Sequence, residues 1–362
     1  MLYKENTYVK SFETEVVEVR DKDGKVEVIL RETYFYPEGG GQPSDKGNIG
    51  SAKVEYVYEK EGKIYHVVDK EITGVVKCEI DWKRRFDFMQ QHSGQHIFSR
   101  VFEIKYDADT VGFNLTEEKM TIDINKKLSK EEILEVEKMA NEIIYSNVKF
   151  KNYYTDKEGC KAFDLRKQPE IEGEIRLVEI ENFDWCPCCG THVNSTGEVG
   201  VIKVNKIEGY KEGHRIEFSC GFRVVKEYND KNNILTGITS MYSASTDLIV
   251  DILKKQKDEN VMLSKEVKAL SNKLVDYKVS ELLETGKKDF DIKIDMDFNN
   301  SRMLATKIVQ NEGYLVKFES DEAIIYAKSK NREENIKEEF NNIIKEKGYK
   351  GGGNEYFLQA KK

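Results

Sequence analysis

The chain holds six cysteines and five histidines, and four of these residues fall into two pairs of matched spacing. His92 and His96 lie four apart in a segment that reads as helix, so both imidazoles leave one face and can grip one ion. Cys188 and His192 repeat that separation in a glycine-containing turn between strand-like segments. Three imidazoles and one thiolate form a borderline-soft set that suits tetrahedral zinc better than magnesium or calcium. The run CPCC also supplies Cys186 and Cys189. Either can replace Cys188 as ligand, or the thiols can form a redox or separate metal site; the mirrored spacing favours Cys188. Cys78, Cys160 and Cys220 are isolated and read as small buried hydrophobes. His66 and His214 read as structural.

A second feature is FYPEGGGQPSDKG, residues 35 to 47, with Gly39, Gly40 and Gly41 between Pro37 and Pro43. The chain has four prolines, and three of them (Pro37, Pro43, Pro187) sit in the glycine and cysteine segments. Prolines fix the entry and exit of a glycine run, which favours a shaped backbone surface over a floppy tip. The loop has neither the Lys-Ser/Thr of a P-loop nor the spacing G-x-G-x-x-G, which excludes nucleotide binding of those kinds.

These groups need elements to hold them. The first 85 residues alternate apolar and polar positions (Val26, Val28, Leu30; Val54, Tyr56, Tyr58; Ile64, His66, Val68), with turn signals at Asp21 to Gly24 and at Gly62, so two hairpins are expected. From about Asp87 the pattern is helical and carries QQHSGQHIF. Ser129 and Glu132 form a capping-box signature ahead of an apolar face of Ile133, Val136, Ala140, Ile143 and Ile144. Strands are expected at Glu174 to Glu181, Val199 to Asn205 and Arg215 to Ser219. Residues 224 to 285 are helical and charged, and Leu263, Val267, Leu270, Leu274 and Tyr277 follow a 4-3-4-3 spacing, with Gln256 and Asn260 extending it upstream: a short coiled-coil seam or a helical hairpin. Beyond 290, strands (Tyr314 to Glu319, Ala323 to Ala327) and a helix (Arg332 to Lys347) make a small α/β module ending in a glycine-rich segment. The fold class is α+β, with four regions: an N-terminal β-barrel-like subdomain at 1–85, a zinc-binding domain at 86–223, a helical connector at 224–289 and a terminal module at 290–362.

The 362 residues are ample for two or three domains. With 39% hydrophobic and 34% charged residues the composition is that of a globular protein, neither disordered nor membrane-spanning. The start lacks the apolar run of a signal peptide, so a cytoplasmic setting with reduced thiols is expected. A net charge of −8 confines any nucleic-acid contact to local patches. Lys83, Arg84 and Arg85 form one; the other is the last 20 residues, with five lysines against two glutamates.

Three motifs in order, T-x-F-Y-P-E-G-G-G-Q-P-x-D-x-G at Thr33 to Gly47, His-x-x-x-His at 92 to 96 and C-C-G-T-H at 188 to 192, resemble the editing domain of alanyl-tRNA synthetases and the freestanding AlaX editing proteins. HRIEFSCG at 214 to 221 resembles the strand that closes that domain, and the helical stretch with Gly351 to Gly353 resembles the C-terminal domain that follows it. The resemblance implies hydrolysis in trans of a wrong amino acid, chiefly serine and secondarily glycine, from alanine-specific tRNA. It implies a zinc ion on His92, His96, Cys188 and His192, substrate held by Gly39, Gly40 and Gly41, and functional roles for Thr33 as sensor of the serine hydroxyl and for Gln42 and Gln91 as water-orienting groups. It further implies tRNA contact by the terminal module and a homodimer through the helical connector and that module. Cys189 stands where the family commonly has glycine. Two rivals are the related editing of threonine-specific tRNA, and a zinc-stabilised tRNA-binding module without catalysis.

Overall fold

Alternation in the first 80 residues closes into a barrel. In the computed structural model, which describes residues 2–22, 24–166, 168–170, 172–320 and 323–362, β1 (Ser11–Lys22), β2 (Lys25–Leu30), β3 (Gly47–Ile49), β4 (Ala52–Lys60), β5 (Lys63–Val68) and β6 (Gly74–Ile80) pair in the order β1-β2-β5-β4-β3-β6, and β6 returns to β1. Both expected hairpins are present, β1 with β2 and β4 with β5. Asp23, inside the first expected turn, lies outside the described residues; at the second, Glu61 and Gly62 both take positive φ, as a two-residue hairpin requires. Val28, Val54, Val57, Cys78 and Ile80 fill the barrel.

Helix α1 (Trp82–Tyr106) starts earlier than the pattern suggested, because Asp81 caps it by accepting from Arg84 N. β7 (Thr110–Leu115) and β8 (Met120–Ile124) follow, then α2 (Lys130–Tyr145), which has the full Ser129–Glu132 capping box and buries Ile133, Val136, Ala140 and Ile144. β9 (Phe150–Thr155), β10 (Ile175–Ile180) and β11 (Asp184–Pro187) form a three-stranded sheet in the order β11-β10-β9. β12 (Ile202–Tyr210) and β13 (Gly213–Cys220) complete a four-stranded sheet, β12-β13-β8-β7. Helices α1 and α2 share one apolar core with that sheet through Phe98, Phe102, Ile122, Ile216 and Phe218. Cys78, Cys160 and Cys220 are buried, as their isolation suggested.

The chain divides into two compact units, Met1–Leu235 and Thr236–Lys362. Helix α3 (Phe222–Tyr242) crosses the division, and α4 (Ile249–Glu284) is continuous over 36 residues. In the second unit β14 (Asp289–Lys293), α5 (Phe298–Val309), β15 (Leu315–Glu319), β16 (Ala323–Lys328), α6 (Ile336–Lys347), β17 (Lys350–Gly353) and β18 (Phe357–Lys361) give a sheet of order β14-β15-β16-β18-β17, with β14 parallel to β15 and the other pairs antiparallel. The last turns of α4 pack with α5 on one core, and α6 covers another. Leu263, Val267, Leu270, Leu274 and Tyr277 are each more than half exposed on α4, so the 4-3-4-3 stripe has no cover among the described residues.

Candidate metal centre

Four donors from two distant segments meet beside the barrel. The ligand atoms of His92, His96, Cys188 and His192 all lie within 4.8 Å of one another. Cys188 Sγ is 3.5 Å from His92 Nε2 and 3.3 Å from His192 Nε2. A tetrahedral zinc ion with bonds of roughly 2.0–2.3 Å sets its donors roughly 3.3–3.8 Å apart, which matches the two Cys188 spacings; the wider pairs, up to 4.8 Å, would close by about 1 Å on binding. Among the described residues His96 Nδ1 is buried without a hydrogen-bond partner, a desolvation that a cation in the cluster would offset.

The residues around the donors decide which atoms face inward. Gln42 Oε1 accepts from Thr191 N at 3.1 Å, so the oxygen end of this amide is turned to His92. His92 Nδ1–H therefore donates to Gln42 Oε1 at 2.8 Å, which leaves the Nε2 lone pair toward the thiol. Gln42 Nε2 donates to Thr191 Oγ1 at 2.8 Å and completes the tie between glycine loop and ligand turn. Ser93 Oγ accepts from Val193 N and faces His192 Nδ1 at 3.1 Å, which orients the third ring. Gly190 N donates to Cys188 Sγ at 3.3 Å. Burial, reinforced by the Arg176 guanidinium, lowers His92 to about 3, and burial together with the neighbouring imidazoles keeps His96 and His192 well below the usual imidazole range. Burial pushes the Cys188 thiol up to about 12. Neutral imidazoles are ready donors, and a thiol in this setting needs a nearby positive charge to ionise.

The glycine loop is a tight two-residue turn. Gly39 and Gln42 exchange backbone hydrogen bonds, and Gly40 and Gly41 at the tip have φ of +55° and +77°. Gly41 is close-packed: a Cβ there would come within 2.7 Å of the Phe113 ring, which stacks in turn on His92. Gly40 lines a cavity of about 430 Å³ that opens onto His92, His96 and Cys188 and is walled by Lys4, Gln95, Phe113 and Arg176. A second cavity of about 550 Å³ shares Gln95, His96, Phe113 and Cys186 with the first and extends past Thr110 and Arg166.

Other expected residues sit elsewhere. Thr33 Oγ1 pairs with His66 Nε2 at 2.9 Å and accepts from Phe35 N, and Thr33 lines neither cavity. His66 is fully buried, with Nδ1 3.2 Å from Val28 O, in keeping with a structural role. Gln91 is turned away: Cys220 N donates to its Oε1 at 2.8 Å, and its Nε2 donates to Cys220 O and Asp87 Oδ1, so the amide is committed to β13. The basic patch at residues 83 to 85 needs correction. Arg85 is fully buried and forked onto Asp45, with further bonds to Thr7 O and Tyr34 O, and Arg84 pairs with Glu117; only Lys83 is exposed. Sequence reading missed Arg176, Phe113 and Gln95, none of which belongs to a recognisable spacing.

Two family models match the chain: residues 175–217 match the threonyl and alanyl tRNA synthetase second additional domain, and residues 3–84 match the class II (A) tRNA synthetases. The alanyl-tRNA editing protein AlaX-L of Pyrococcus horikoshii is 31% identical over 99% of this chain and 94% of its own length. The alanyl-tRNA editing protein Aarsd1 of Bos taurus is 30% identical over 72% of this chain and 63% of its own. The alanine–tRNA ligase of Methanobrevibacter smithii is 32% identical over 98% of this chain, which spans 42% of that ligase. Among the described residues no helix is long and apolar enough to cross a membrane.

Proposed function

The chain belongs to the AlaX family of alanyl-tRNA editing proteins, and on that footing we propose that it hydrolyses, in trans, the ester linking serine, and secondarily glycine, to alanine-specific tRNA. The observation that carries this reading is the convergence of four residues able to hold a metal ion, three of them buried and Cys188 partly so, with a glycine turn and a cavity at one point. An alanine-activating pocket cannot strongly reject a side chain that adds a hydroxyl, so a second site that depends on the hydroxyl must remove the errors. Such a site leaves a polar group unpaired when alanine enters, a penalty of about 1–3 kcal/mol.

His92, His96, Cys188 and His192 would hold zinc, which when bound supplies a Lewis-acidic positive charge beside the substrate's ester and amino groups. Gln42 and Ser93 fix two of the imidazoles that hold it. The N–H groups of Gly40 and Gly41, outside the Gly39–Gln42 backbone pairing, are our candidates for donors to the developing oxyanion. Phe113, packed on Gly41 and His92, keeps the turn against the ligand helix and excludes water from that side. Thr33, engaged by His66, bears on serine selection through the loop it opens. We assign residues 1–85 and 86–223 to the editing body, 224–289 to the connector and 290–362 to a module that contacts the tRNA body through its lysines. The uncovered stripe on α4 supports a homodimer through the connector.

The test is deacylation of alanine-specific tRNA charged with serine, glycine or alanine. Hydrolysis of the serine ester with alanyl-tRNA spared is expected, together with loss of activity on chelation or in His96→Ala; the glycine ester, which offers no hydroxyl, is cleaved only if the site also excludes alanine by its methyl group. Equal hydrolysis of the serine and alanine esters refutes the selectivity, and no hydrolysis by zinc-loaded protein refutes the activity.

A further inference from the structure

Strand β10 reads Ile-Arg-Leu-Val-Glu-Ile and is buried along its length, yet it carries Arg176, 4% exposed. The guanidinium donates through Nη1 to Cys188 O at 3.1 Å and to Gly190 O at 2.7 Å, and through Nη2 to Asn152 Oδ1 at 2.9 Å. The backbone repeats the tie, because Cys188 N donates to Arg176 O at 3.1 Å. Arg176 thus holds both ends of the turn from which the Cys188 side chain projects.

Its charge is unmatched. Arg85, fully buried, and Arg166, partly buried, each pair with an aspartate, Asp45 and Asp184. Among the described residues no carboxylate lies within ion-pair distance of Arg176, and its Nε is buried without a partner. A buried cation with no counter-charge costs several kcal/mol, and such groups are found paired with charge or engaged with a ligand. Every polar partner of this guanidinium is a neutral oxygen. Cys188, whose carbonyl the guanidinium binds, is the ligand of the cluster that would acquire negative charge on metal binding, and both residues line the same cavity.

We propose that Arg176 is a positioning residue for the metal-bearing thiolate: it supplies the counter-charge of ionised Cys188 and clamps the Cys188–Gly190 turn so that Sγ meets His92 and His192. The inference rests on the metal-site reading and is independent of which aminoacyl-tRNA is edited. It assigns the buried charge to assembly of the site.

The test is binding of cobalt(II) and zinc to the full-length protein by chelator competition, with the thiolate-to-cobalt charge-transfer absorption as a spectroscopic readout and circular dichroism as the check of folding. Outer-sphere partners are commonly worth 10–100-fold in metal affinity. Arg176→Gln should therefore lose about 100-fold and weaken the charge-transfer band, Arg176→Lys about 10-fold because charge survives while the fork is lost, and Asn152→Ala less than either. Wild-type affinity and spectrum in Arg176→Gln overturn the proposal, as does equal weakening in the lysine and glutamine variants, which leaves only a spatial role. Should Arg176→Gln not fold, wild-type affinity in Arg176→Lys overturns it equally. Failure of the wild-type protein to bind one metal ion defeats the metal-site reading itself, an outcome separate from the variant comparison.

Discussion

Gly190→Ala adds one methyl group at the point where the ligand turn passes the first ligand. The new Cβ would lie closer than 3.0 Å to His92 Cε1 and Nδ1, and 3.0 Å from Gln42 Oε1. Carbon atoms pack at about 3.5 Å, so the imidazole must retreat by about 1.4 Å. It cannot do so and keep its 2.8 Å hydrogen bond to Gln42. No positive φ is recorded at Gly190, so the strain is steric and local. Losing the Gln42 tie is worth about 10–100-fold in metal affinity, and displacing a site group by about 1 Å about 100-fold in rate, close to 3 kcal/mol in the barrier. Overpacking adds about 1–3 kcal/mol of destabilisation, which the first unit should survive. The assay is metal content after dialysis, with seryl-tRNA deacylation at saturating zinc, in Gly190→Ala beside Gly209→Ala on β12, where among the described residues no atom lies within 4 Å of a new Cβ and little should change. Gly190→Ala protein with full metal content and wild-type turnover would falsify the claim that this contact fixes His92.

Three further outcomes follow from other parts of the structure. Arg85→Met should lower stability by about 3–5 kcal/mol in chemical denaturation, because Asp45 is left buried and unpaired, and should leave the salt dependence of tRNA binding unchanged; a reduced salt slope would return Arg85 to the tRNA surface. His66, lowered by burial to about 4, binds its proton more weakly when folded than unfolded. Its contribution to stability is therefore full above the ordinary imidazole range and is lost as pH falls through that range toward 4; His66→Gln should flatten the melting temperature between pH 7 and 4 relative to wild type, and parallel curves would refute this. Leu270→Lys, on the exposed stripe of α4, should halve the particle mass measured by light scattering if the connector forms the homodimer, whereas an unchanged mass rejects that interface.

The donors were legible because metal ligation imposes spacing. His92 and His96 share one face of α1, and Cys188 and His192 share a turn, whatever surrounds them. The hairpins and the capping box were legible for the same reason, since each is a local rule. Burial of a charge is not local. Arg85 reads as part of a basic run, and nothing in that run indicates Asp45, 40 residues earlier. Gln91 adjoins a ligand in sequence, but one step along a helix turns a side chain by about 100°, here toward Cys220. Arg176 comes from the three-stranded sheet and Phe113 from the four-stranded one, so their meeting at the metal centre follows from packing of the two sheets against α1.

Cys188 follows His92 by 96 residues. A ribosome adding about 5–20 residues per second needs on the order of 5–20 s to bridge that interval. During synthesis the helix pair His92 and His96 is made first, a two-histidine chelate open to whatever divalent ion is abundant, copper above all by intrinsic affinity. The thiolate and third imidazole arrive last and convert that chelate into a set biased toward zinc. A metal ion held by this cluster would therefore find its full donor set only once residues 188 to 192 had been made, more than 40 residues before the first unit ends at Leu235.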